Sequence, residues 1–387
     1  MTLTQDSERF ETVIVGGGQA GLAVGYHLTK RGHSCVILDA NGRVGDSWRK
    51  RWPTLRLYSP AVVDALPGMR FPAPPHSFPS GSDMAEYLEA YAQKFALPVR
   101  TRVGVDGLER KGDGYLVTAG ERRFEADNVV VATGVFQHDH PVIPAFAAEL
   151  DPRIRQLHSA DYRSPTQLQE GGALVVGAAH SGGDIAYEVA RAGYRTLLSG
   201  RDTGQIPFDI EGRKARIVFP LLRFVATRIL TVSTPIGRKA KGEIRTHGGP
   251  LLRVKRNDLE AAGVERVCER TVGVEDGRPM LADGRVVDVA NVIWCTGFRN
   301  DYGWIRFPLP LDADGFPEQE RGAVPSSPGL YFVGLPFLHS FASMLILGAG
   351  RDGRRVAKHI IAHRTHDRRR QDQGGPARAS AGQEIPA

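Results

Sequence analysis

Three glycines near the N-terminus, Gly16, Gly18 and Gly21, follow an apolar run and have the spacing of a dinucleotide-binding turn. In such a turn the first glycine permits a tight bend, the second lets the backbone approach a pyrophosphate, and the third lets helix and strand pack closely. Phosphate charge is favourable at the N-terminus of the following helix, where Gln19 and Ala20 lie. The spacing therefore predicts that this segment binds a dinucleotide.

A carboxylate stands where the next apolar run, Cys35 to Leu38, ends. From this position Asp39 would accept hydrogen bonds from an adenosine ribose with a free 2′-hydroxyl, as FAD has. The alternative is a glycine-rich turn in an ordinary α/β core, and the accompanying strand, helix and acid argue against it. We therefore assign the first turn to FAD.

The same pattern recurs later in the chain at one fixed offset. The glycines of the second turn repeat those of the first, except that Ala179 replaces Gly18, and each copy is followed by an apolar run that ends in Thr-Gly. Two whole units, and so two bound nucleotides, are predicted. The further predicted cofactor-binding residues are Thr133 and Gly134 in the first copy and Gly177, Ser181, Gly182, Thr296 and Gly297 in the second.

The second copy differs at the position of the ribose-binding acid. Gly200 replaces Asp39, and Arg201 replaces Ala40. Because a guanidinium forms bidentate hydrogen bonds with phosphate, Arg201 predicts recognition of a 2′-phosphate and hence of NADPH. NADH stays an alternative, since the carboxylate of Asp202 could reach a 2′-hydroxyl instead.

Length and composition fit two globular domains with full cores, because 41% of the 387 residues are hydrophobic. The N-terminal segment MTLTQDSERF is polar and has no apolar stretch of the signal-peptide type, which predicts a cytoplasmic location. Cys35, Cys268 and Cys295 are isolated in the sequence. We therefore expect neither a redox-active disulfide nor a metal site.

The net charge of +7 comes from one segment. Residues 213–256 contain twelve Lys or Arg and one Glu, but no nucleic-acid-binding module is recognisable, so no nucleic-acid partner is expected. The segment includes a candidate helix, Ile217 to Val232, with Arg223, Thr227 and Thr231 on one stripe. Three interpretations stay open: a helix packed on the core, a lid over the active site, or a weak membrane-surface contact.

The order of these elements predicts an α/β protein with two dinucleotide-binding, Rossmann-like domains, in which the NADPH domain is inserted in the FAD domain. The first part of the FAD domain covers residues 1–150. The NADPH domain covers 151–296 and contains a basic insertion at 205–256. The chain then returns to the FAD domain over 297–362, and the tail at 363–387 is predicted to be disordered because it lacks periodicity.

Seven further motifs are distributed along the chain. They are GGGQAG at 16–21, GDSWRKRW at 45–52, LRLYSP at 55–60, LPGMRFP at 66–72, VVATG at 130–134, HSADYR at 158–163 and WCTGF at 294–298. These motifs resemble those of the flavin-containing monooxygenase superfamily, in particular its bacterial single-chain members and the plant YUCCA-type enzymes. The likeness runs from about residue 11 to residue 362, so it covers nearly the whole chain.

The resemblance implies an enzyme in which NADPH reduces FAD and the reduced flavin forms a C4a-(hydro)peroxyflavin with molecular oxygen, which then oxygenates a small-molecule substrate. It also implies that Trp48, Arg49 and His158 lie near the cofactors. A second interpretation of His158 is a structural histidine that hydrogen-bonds the local backbone. No catalytic side chain is predicted, because the flavin carries the chemistry.

Two departures from the family pattern bear on the function. Pro152 and Ile154 stand where the fingerprint before His158 has Phe and Gly, and residues 57–59 stand where animal-type members have an Asn beside the flavin. An NADPH-dependent flavin reductase that forms no oxygenated product is therefore the alternative function. The basic segment would then dock an acidic partner.

Overall fold

The computed structural model describes residues 7–137, 139–246 and 248–373. Each half of the chain contains a strand–helix–strand unit, as the two repeated units predict. In chain order the strands are β1 (Glu8–Val15), β2 (Cys35–Leu38), β3 (Val99–Arg100), β4 (Gly107–Lys111), β5 (Gly114–Ala119), β6 (Arg122–Val131), β7 (Arg155–His158), β8 (Ala173–Val176), β9 (Thr196–Ser199), β10 (Glu265–Val267), β11 (Thr271–Glu275), β12 (Arg278–Leu281), β13 (Asn291–Trp294) and β14 (Leu330–Phe332). The helices are α1 (Gln19–Thr29), α2 (Asp46–Arg49), α3 (Gly81–Lys94), α4 (His180–Arg191), α5 (Arg213–Phe224), α6 (Pro235–Thr246), α7 (Arg256–Ala261) and α8 (Ile346–Gln373).

The first sheet has the strand order β3-β2-β1-β6-β5-β4, and β14 also pairs with β6. The pairs among β3, β2, β1, β6 and β14 are parallel, whereas β4, β5 and β6 are antiparallel. Residues 13–15 and 35–38 are buried throughout, as expected for parallel strands covered on both faces. Helix α1 packs against α8 at Gly353, where an added Cβ would lie 3.0 Å from the backbone of Ala23 and Val24.

The second sheet has the order β10-β9-β8-β13-β7 and is parallel throughout. Its central strands β8 and β13 are buried along their whole length. Helix α4 follows β8 directly, just as α1 follows β1 in the first sheet. Both sheets therefore place the N-terminus of a helix at the carboxyl end of their central strand, where open α/β sheets bind ligands.

After the second sheet the chain rejoins the first, because Leu330, Tyr331 and Phe332 of β14 pair with β6. The terminal helix α8 continues to Gln373, well into the segment 363–387 that the sequence predicts to be disordered. Disorder of this segment stays a prediction. Residues 374–387 of the predicted tail lie outside the described residues.

The basic insertion leaves and re-enters the second unit at neighbouring points. Gln205 and Leu251 form a bridge, and the Leu251 amide donates to the Gly204 carbonyl at 2.9 Å. The helix predicted at 217–232 begins earlier, at Arg213, and its α-helical part ends at Phe224. One π-helical turn, Val225–Ile229, follows.

Within this π-helical turn the Thr227 hydroxyl donates to the Arg223 carbonyl at 2.7 Å. A side-chain donor of this kind competes with the regular backbone ladder and accompanies bends in helices. The predicted helix is therefore shorter at its C-terminal end, and Thr231 already lies outside it.

The insertion packs on segments that precede and follow β14 in the first unit. The Val232 amide donates to the His339 carbonyl at 3.0 Å, and the Phe341 amide donates to the Leu230 carbonyl at 2.8 Å. Helix α5 still exposes an apolar stripe to solvent, with Ile217 81% and Leu221 61% exposed. No helix in the described ranges is long and apolar enough to cross a membrane.

Candidate functional site

The turn between β1 and α1 has the close contacts that its glycines predict. The Gly16 amide donates to the Leu38 carbonyl at 2.8 Å, and Gly16 has a φ of 111°, which disfavours other residues. A Cβ at Gly16 would lie 2.5 Å from the Ala132 carbonyl oxygen, and one at Gly21 would collide with the Gly16 carbonyl. A side chain at Gly16 would push the turn away from the end of β6, and one at Gly21 would push α1 away from the turn.

Gly18 marks the place where a phosphate fits. It is the N-cap of α1, no side chain accepts a hydrogen bond from the first turn of that helix, and a Cβ at Gly18 would meet no described atom within 4 Å. The amides of Gln19 and Ala20 therefore face an open space at the positive end of the helix. An anion such as a pyrophosphate suits this space.

Asp39 is buried beside the turn with only 6% of its surface exposed. The Gly17 amide donates to its Oδ2 at 3.1 Å, while the Asn41 amide and Nδ2 donate to its Oδ1 at 2.8 and 2.9 Å. A carboxylate has about four acceptor sites, so Oδ2 keeps capacity for a ribose hydroxyl. The positioning roles of Gly17 and Asn41 were not predicted, although an acid followed two residues later by Asn is a common turn signal.

Trp48 and Arg49, which the resemblance places near the cofactors, have different surroundings. The Trp48 Nε1 donates to Gln19 Oε1 at 3.4 Å, so the indole lies beside the first residue of α1. The Arg49 guanidinium donates to Asp46 Oδ1 at 3.0 Å and to Glu89 Oε2 at 2.6 Å, which joins α2 to α3. Cofactor contact stays a prediction for both residues, and the Arg49 donors are engaged by the protein.

The carboxyl ends of β1, β6 and β14 meet at this turn. Gly134 has a φ of 72°, and a Cβ there would meet no described atom within 4 Å, so the backbone after Thr133 faces open space. A Cβ at Gly334 would lie 3.2 Å from the Ala20 Cβ. Sequence reasoning missed Gly334, which is signalled only by its position two residues after the last strand.

The turn between β8 and α4 repeats the first turn in detail. The Gly177 amide donates to the Ser199 carbonyl at 2.8 Å, and Gly177 has a φ of 109°. A Cβ at Gly182 would collide with the Gly177 carbonyl. Ala179 has φ and ψ of −77° and −179°, close to the −76° and −175° of Gly18, so alanine adopts this conformation without strain. Ser181 lies in the first turn of α4, half-buried.

The two turns differ at the ribose end, as the sequence predicts. Gly200 has a φ of 143°, and a Cβ there would lie 2.9 Å from the Ala178 amide nitrogen, so no acidic side chain fits. Asp202 accepts a hydrogen bond from the Arg256 guanidinium at 2.5 Å and lies 3.7 Å from Arg266. Hydrogen bonding by Arg256 lowers the pKa of Asp202. Its carboxylate is thus engaged by arginines.

Arg201 is exposed, and its side chain forms no hydrogen bond or ion pair with any residue in the described ranges. It lies one residue beyond Gly200 at the end of β9, and the Gly200 amide donates to the Val267 carbonyl of β10. Arg256 and Arg266 add positive charge near Asp202. This edge of the second sheet is therefore strongly cationic.

His158 forms hydrogen bonds to the backbone through both ring nitrogens, as the structural interpretation predicts. It is 2% exposed, its Nδ1 accepts from the Ala160 amide at 3.1 Å, and its Nε2 lies 3.1 Å from the Gly297 carbonyl. With Nδ1 as acceptor, Nε2 carries the proton and donates, so the ring is neutral, and burial lowers its pKa. Beside it, the Thr296 hydroxyl donates to the Val142 carbonyl. The predicted cofactor residues Thr296 and Gly297 thus lie in a junction between chain segments.

A segment that follows α2 connects the first turn to helix α4. The Tyr58 hydroxyl donates to Asp184 Oδ2 at 2.8 Å, and its ring packs edge-on against His180 with centroids 5.1 Å apart. Trp52 and Leu55 are buried in the core of the second unit. Residues 48–58 therefore run from the start of α1 to the start of α4.

The polar groups at this connection are buried. Asp184 is 5% exposed and lies 3.5 Å from the Arg253 guanidinium. Burial raises the pKa of both Asp184 and Tyr58 and lowers that of His180. The motif LRLYSP was predicted only from resemblance, and pairing of Tyr58 with an acid 126 residues away has no local sequence signal.

The chain was compared with known proteins to identify its family. Residues 13–212 match the family model described as pyridine nucleotide-disulphide oxidoreductase. The chain belongs to this family. Its three cysteines, Cys35, Cys268 and Cys295, are all free.

The relatives include proteins named as oxidoreductases and as indole-3-pyruvate monooxygenases. Over 91% of its length the chain is 35% identical to an uncharacterized CzcO-like oxidoreductase of Geobacillus kaustophilus, and it covers 99% of that protein. It is 26% identical to the indole-3-pyruvate monooxygenase YUCCA8 of Oryza sativa, with 90% of each chain covered. These likenesses confirm the predicted resemblance to flavin monooxygenases.

Solved structures with the same architecture include a flavin-containing monooxygenase from Stenotrophomonas maltophilia. It is 26% identical, has a TM-score of 0.74, and the match covers 92% of this chain and 99% of that one. A complex of the protein OTEMO with FAD and NADP is 14% identical with a TM-score of 0.65, covers 94% and 87% of the two chains, and shares the fold. The predicted α/β fold with two Rossmann-like units is confirmed.

Proposed function

We propose that the chain is an NADPH-dependent FAD monooxygenase that oxygenates a small organic substrate. The observation that carries the proposal is the pair of matched turns whose ribose ends differ, with Asp39 at the first and Gly200 followed by Arg201 at the second. Two different dinucleotides held by one chain imply hydride transfer between them. The monooxygenase relatives support oxygen as the final acceptor of the electrons.

The first turn fits FAD. Its pyrophosphate would lie at Gly18, its adenosine ribose would bond Asp39, and Trp48 would lie beside the first turn of α1. Bound FAD supplies hydride acceptance from NADPH and the reaction with oxygen. The chain's own residues bind and orient the two nucleotides and exclude water. The proposal includes the boundaries between the FAD and NADPH domains that the sequence predicts at residues 150 and 296.

The second turn fits NADPH better than NADH. Gly200 leaves no room for a ribose-binding acid, and Asp202 is held by Arg256 and Arg266. Arg201 has no partner among the residues that the structure describes and can bind a 2′-phosphate bidentately. The positive edge of the second sheet therefore supports the phosphorylated coenzyme.

The contacts of the basic insertion support its interpretation as a lid over the active site. Its main chain forms hydrogen bonds with residues 339 and 341, which follow β14, and the ring of Phe219 in α5 lies 5.9 Å from that of Phe78. A cover of this kind keeps water from the flavin, which an oxygenase requires. A weak contact with a membrane surface stays a prediction, and the exposed side chains of Ile217 and Leu221 are compatible with it.

Arg201→Ala is expected to weaken NADPH binding about tenfold or more and to leave NADH binding nearly unchanged, because only the phosphate loses a charge-assisted partner. The measurement is the Michaelis constant of flavin reduction for each coenzyme. Arg155→Ala is the matched control, since this exposed arginine lies at the opposite end of the same sheet. Equal losses for NADPH and NADH would contradict the role of Arg201.

The function itself is tested by the fate of oxygen. Purified protein with bound FAD should consume NADPH and oxygen and, with a suitable amine, sulfide or oxo acid, form an oxygenated product at the expense of hydrogen peroxide. ¹⁸O from labelled O2 should appear in that product. A flavin reductase would instead form peroxide in proportion to NADPH with every compound, or pass its electrons to an added acceptor.

A further inference from the structure

Arg51 carries a positive charge that no residue in the described ranges neutralises. Its Nε is buried and has no hydrogen-bond acceptor, and the side chain forms no ion pair. The guanidinium carbon lies 5.1 Å from the centre of the Phe136 ring, which offers a weak cation–π contact. The nearby arginine Arg49, by contrast, bonds two carboxylates.

An unpaired cation at a half-buried position is unfavourable, because burial removes water without supplying an opposite charge. Burial lowers the pKa of Arg51 to about 10, so the group is still charged at neutral pH. The buried carboxylate of helix α4, Asp184, is engaged by Tyr58 and Arg253. A half-buried arginine that stays charged without an acidic partner is typical of a binding site rather than of a stabilising contact.

The position of Arg51 lies between the two dinucleotide turns. Its amide donates to the Trp48 carbonyl at 3.1 Å, and Trp48 contacts the first residue of α1. Seven residues further along the chain, the ring of Tyr58 contacts His180 at the start of α4. Phe136, which is 54% exposed, leaves this region open to an entering ligand.

We infer that Arg51 binds the diphosphate of the nicotinamide dinucleotide as the coenzyme reaches from the second turn toward the first. This inference rests on the proposed function. The diphosphate is common to NADPH and NADH, so Arg51 would contribute to binding both, whereas Arg201 would read only the 2′-phosphate. The two arginines therefore have separable roles.

The test compares binding of NADP⁺ and NAD⁺ to the oxidised FAD protein by isothermal titration calorimetry. Arg51→Met keeps the length of the side chain and removes its charge, and it should weaken both coenzymes by the same factor, about ten- to a hundredfold. Arg201→Ala should weaken NADP⁺ alone. Arg155→Met is the control for loss of an arginine outside the site and should bind both normally.

Thermal unfolding distinguishes coenzyme binding by Arg51 from a purely structural role of this residue. Without coenzyme, Arg51→Met should melt at the wild-type temperature or above it, because an unpaired buried charge has been removed. The rise in melting temperature on adding NADP⁺ should shrink in this variant.

Two results would overturn the inference. The first is coenzyme binding by Arg51→Met that equals the wild type. The second is a lower melting temperature with an undiminished rise on adding NADP⁺, which would make Arg51 structural. A wild-type protein that binds neither coenzyme would instead contradict the proposed function, and the inference with it.

Discussion

Replacing Asp39 by Ala is expected to lower the affinity for FAD about ten- to a hundredfold, so that the purified variant loses most of its yellow colour. A ribose hydroxyl bonded to a carboxylate is a charge-assisted interaction of roughly 1.5–3 kcal/mol. The carboxylate of Asp39 is fixed in position, because Gly17 and Asn41 donate three hydrogen bonds to its oxygens. The measurement is the ratio of flavin to protein absorbance, followed by titration of the apoprotein with FAD.

Two further variants separate the ribose contact from a general loss of structure. Asp39→Asn keeps the shape and one acceptor oxygen, so its loss of affinity should be smaller. Asp113→Ala removes an exposed carboxylate from the hairpin between β4 and β5 and should keep the full flavin content. If Asp39→Ala retains the FAD affinity of the wild type, the assignment of the first turn is wrong.

Arg245→Ala is expected to release the basic insertion from the first unit. The Arg245 side chain is 1% exposed, donates to Asp312 Oδ2 at 2.5 Å and to the Pro336 carbonyl at 3.1 Å, and lies 4.4 Å from the Phe316 ring centre. Loss of charge-assisted bonds of this kind costs about 2–4 kcal/mol. We expect faster proteolysis within α6. A larger share of the oxidised NADPH should also yield hydrogen peroxide, and both quantities are measured against the wild type.

The matched control lies on the same helix. Lys241 is 3.6 Å from Asp312 but 34% exposed, so Lys241→Ala should have an effect within about 1 kcal/mol. Burial alone would raise the pKa of Asp312, yet the hydrogen bond from Arg245 holds it below its ordinary value. The stabilisation is therefore present at neutral pH and lost as the pH falls through this lowered pKa. Unchanged proteolysis and peroxide yield in Arg245→Ala would argue against the insertion as a lid.

Local backbone chemistry made the two turns predictable from sequence. Gly16 and Gly21, and again Gly177 and Gly182, are positions where any Cβ meets a carbonyl oxygen, so the residue type itself records the geometry. The difference between Asp39 in the first copy and Gly200 in the second is likewise visible when the two copies are aligned. Patterns of this kind need no knowledge of the partner segments.

Long-range pairings were not predictable in the same way. Tyr58 with Asp184 and Arg245 with Asp312 join residues far apart in sequence, and each partner alone looks like an ordinary polar residue. The role that we propose for Arg51 depends on the absence of a carboxylate partner among the described residues, which no spacing rule encodes. The predicted helix at 217–232 was displaced because the side chain of Thr227 and the contacts to residues 339–341 end the regular helix early.

The central claim is that the reduced flavin passes its electrons to oxygen while the protein keeps NADP⁺ bound and water excluded. Rapid mixing of the NADPH-reduced protein with oxygenated buffer tests it most directly, with the full spectrum followed over time. The account predicts at least two phases, with a transient violet absorbance before the oxidised flavin spectrum returns, and a slower second phase in the presence of NADP⁺. A single-phase return to oxidised flavin, with hydrogen peroxide formed in equal amount, would contradict it.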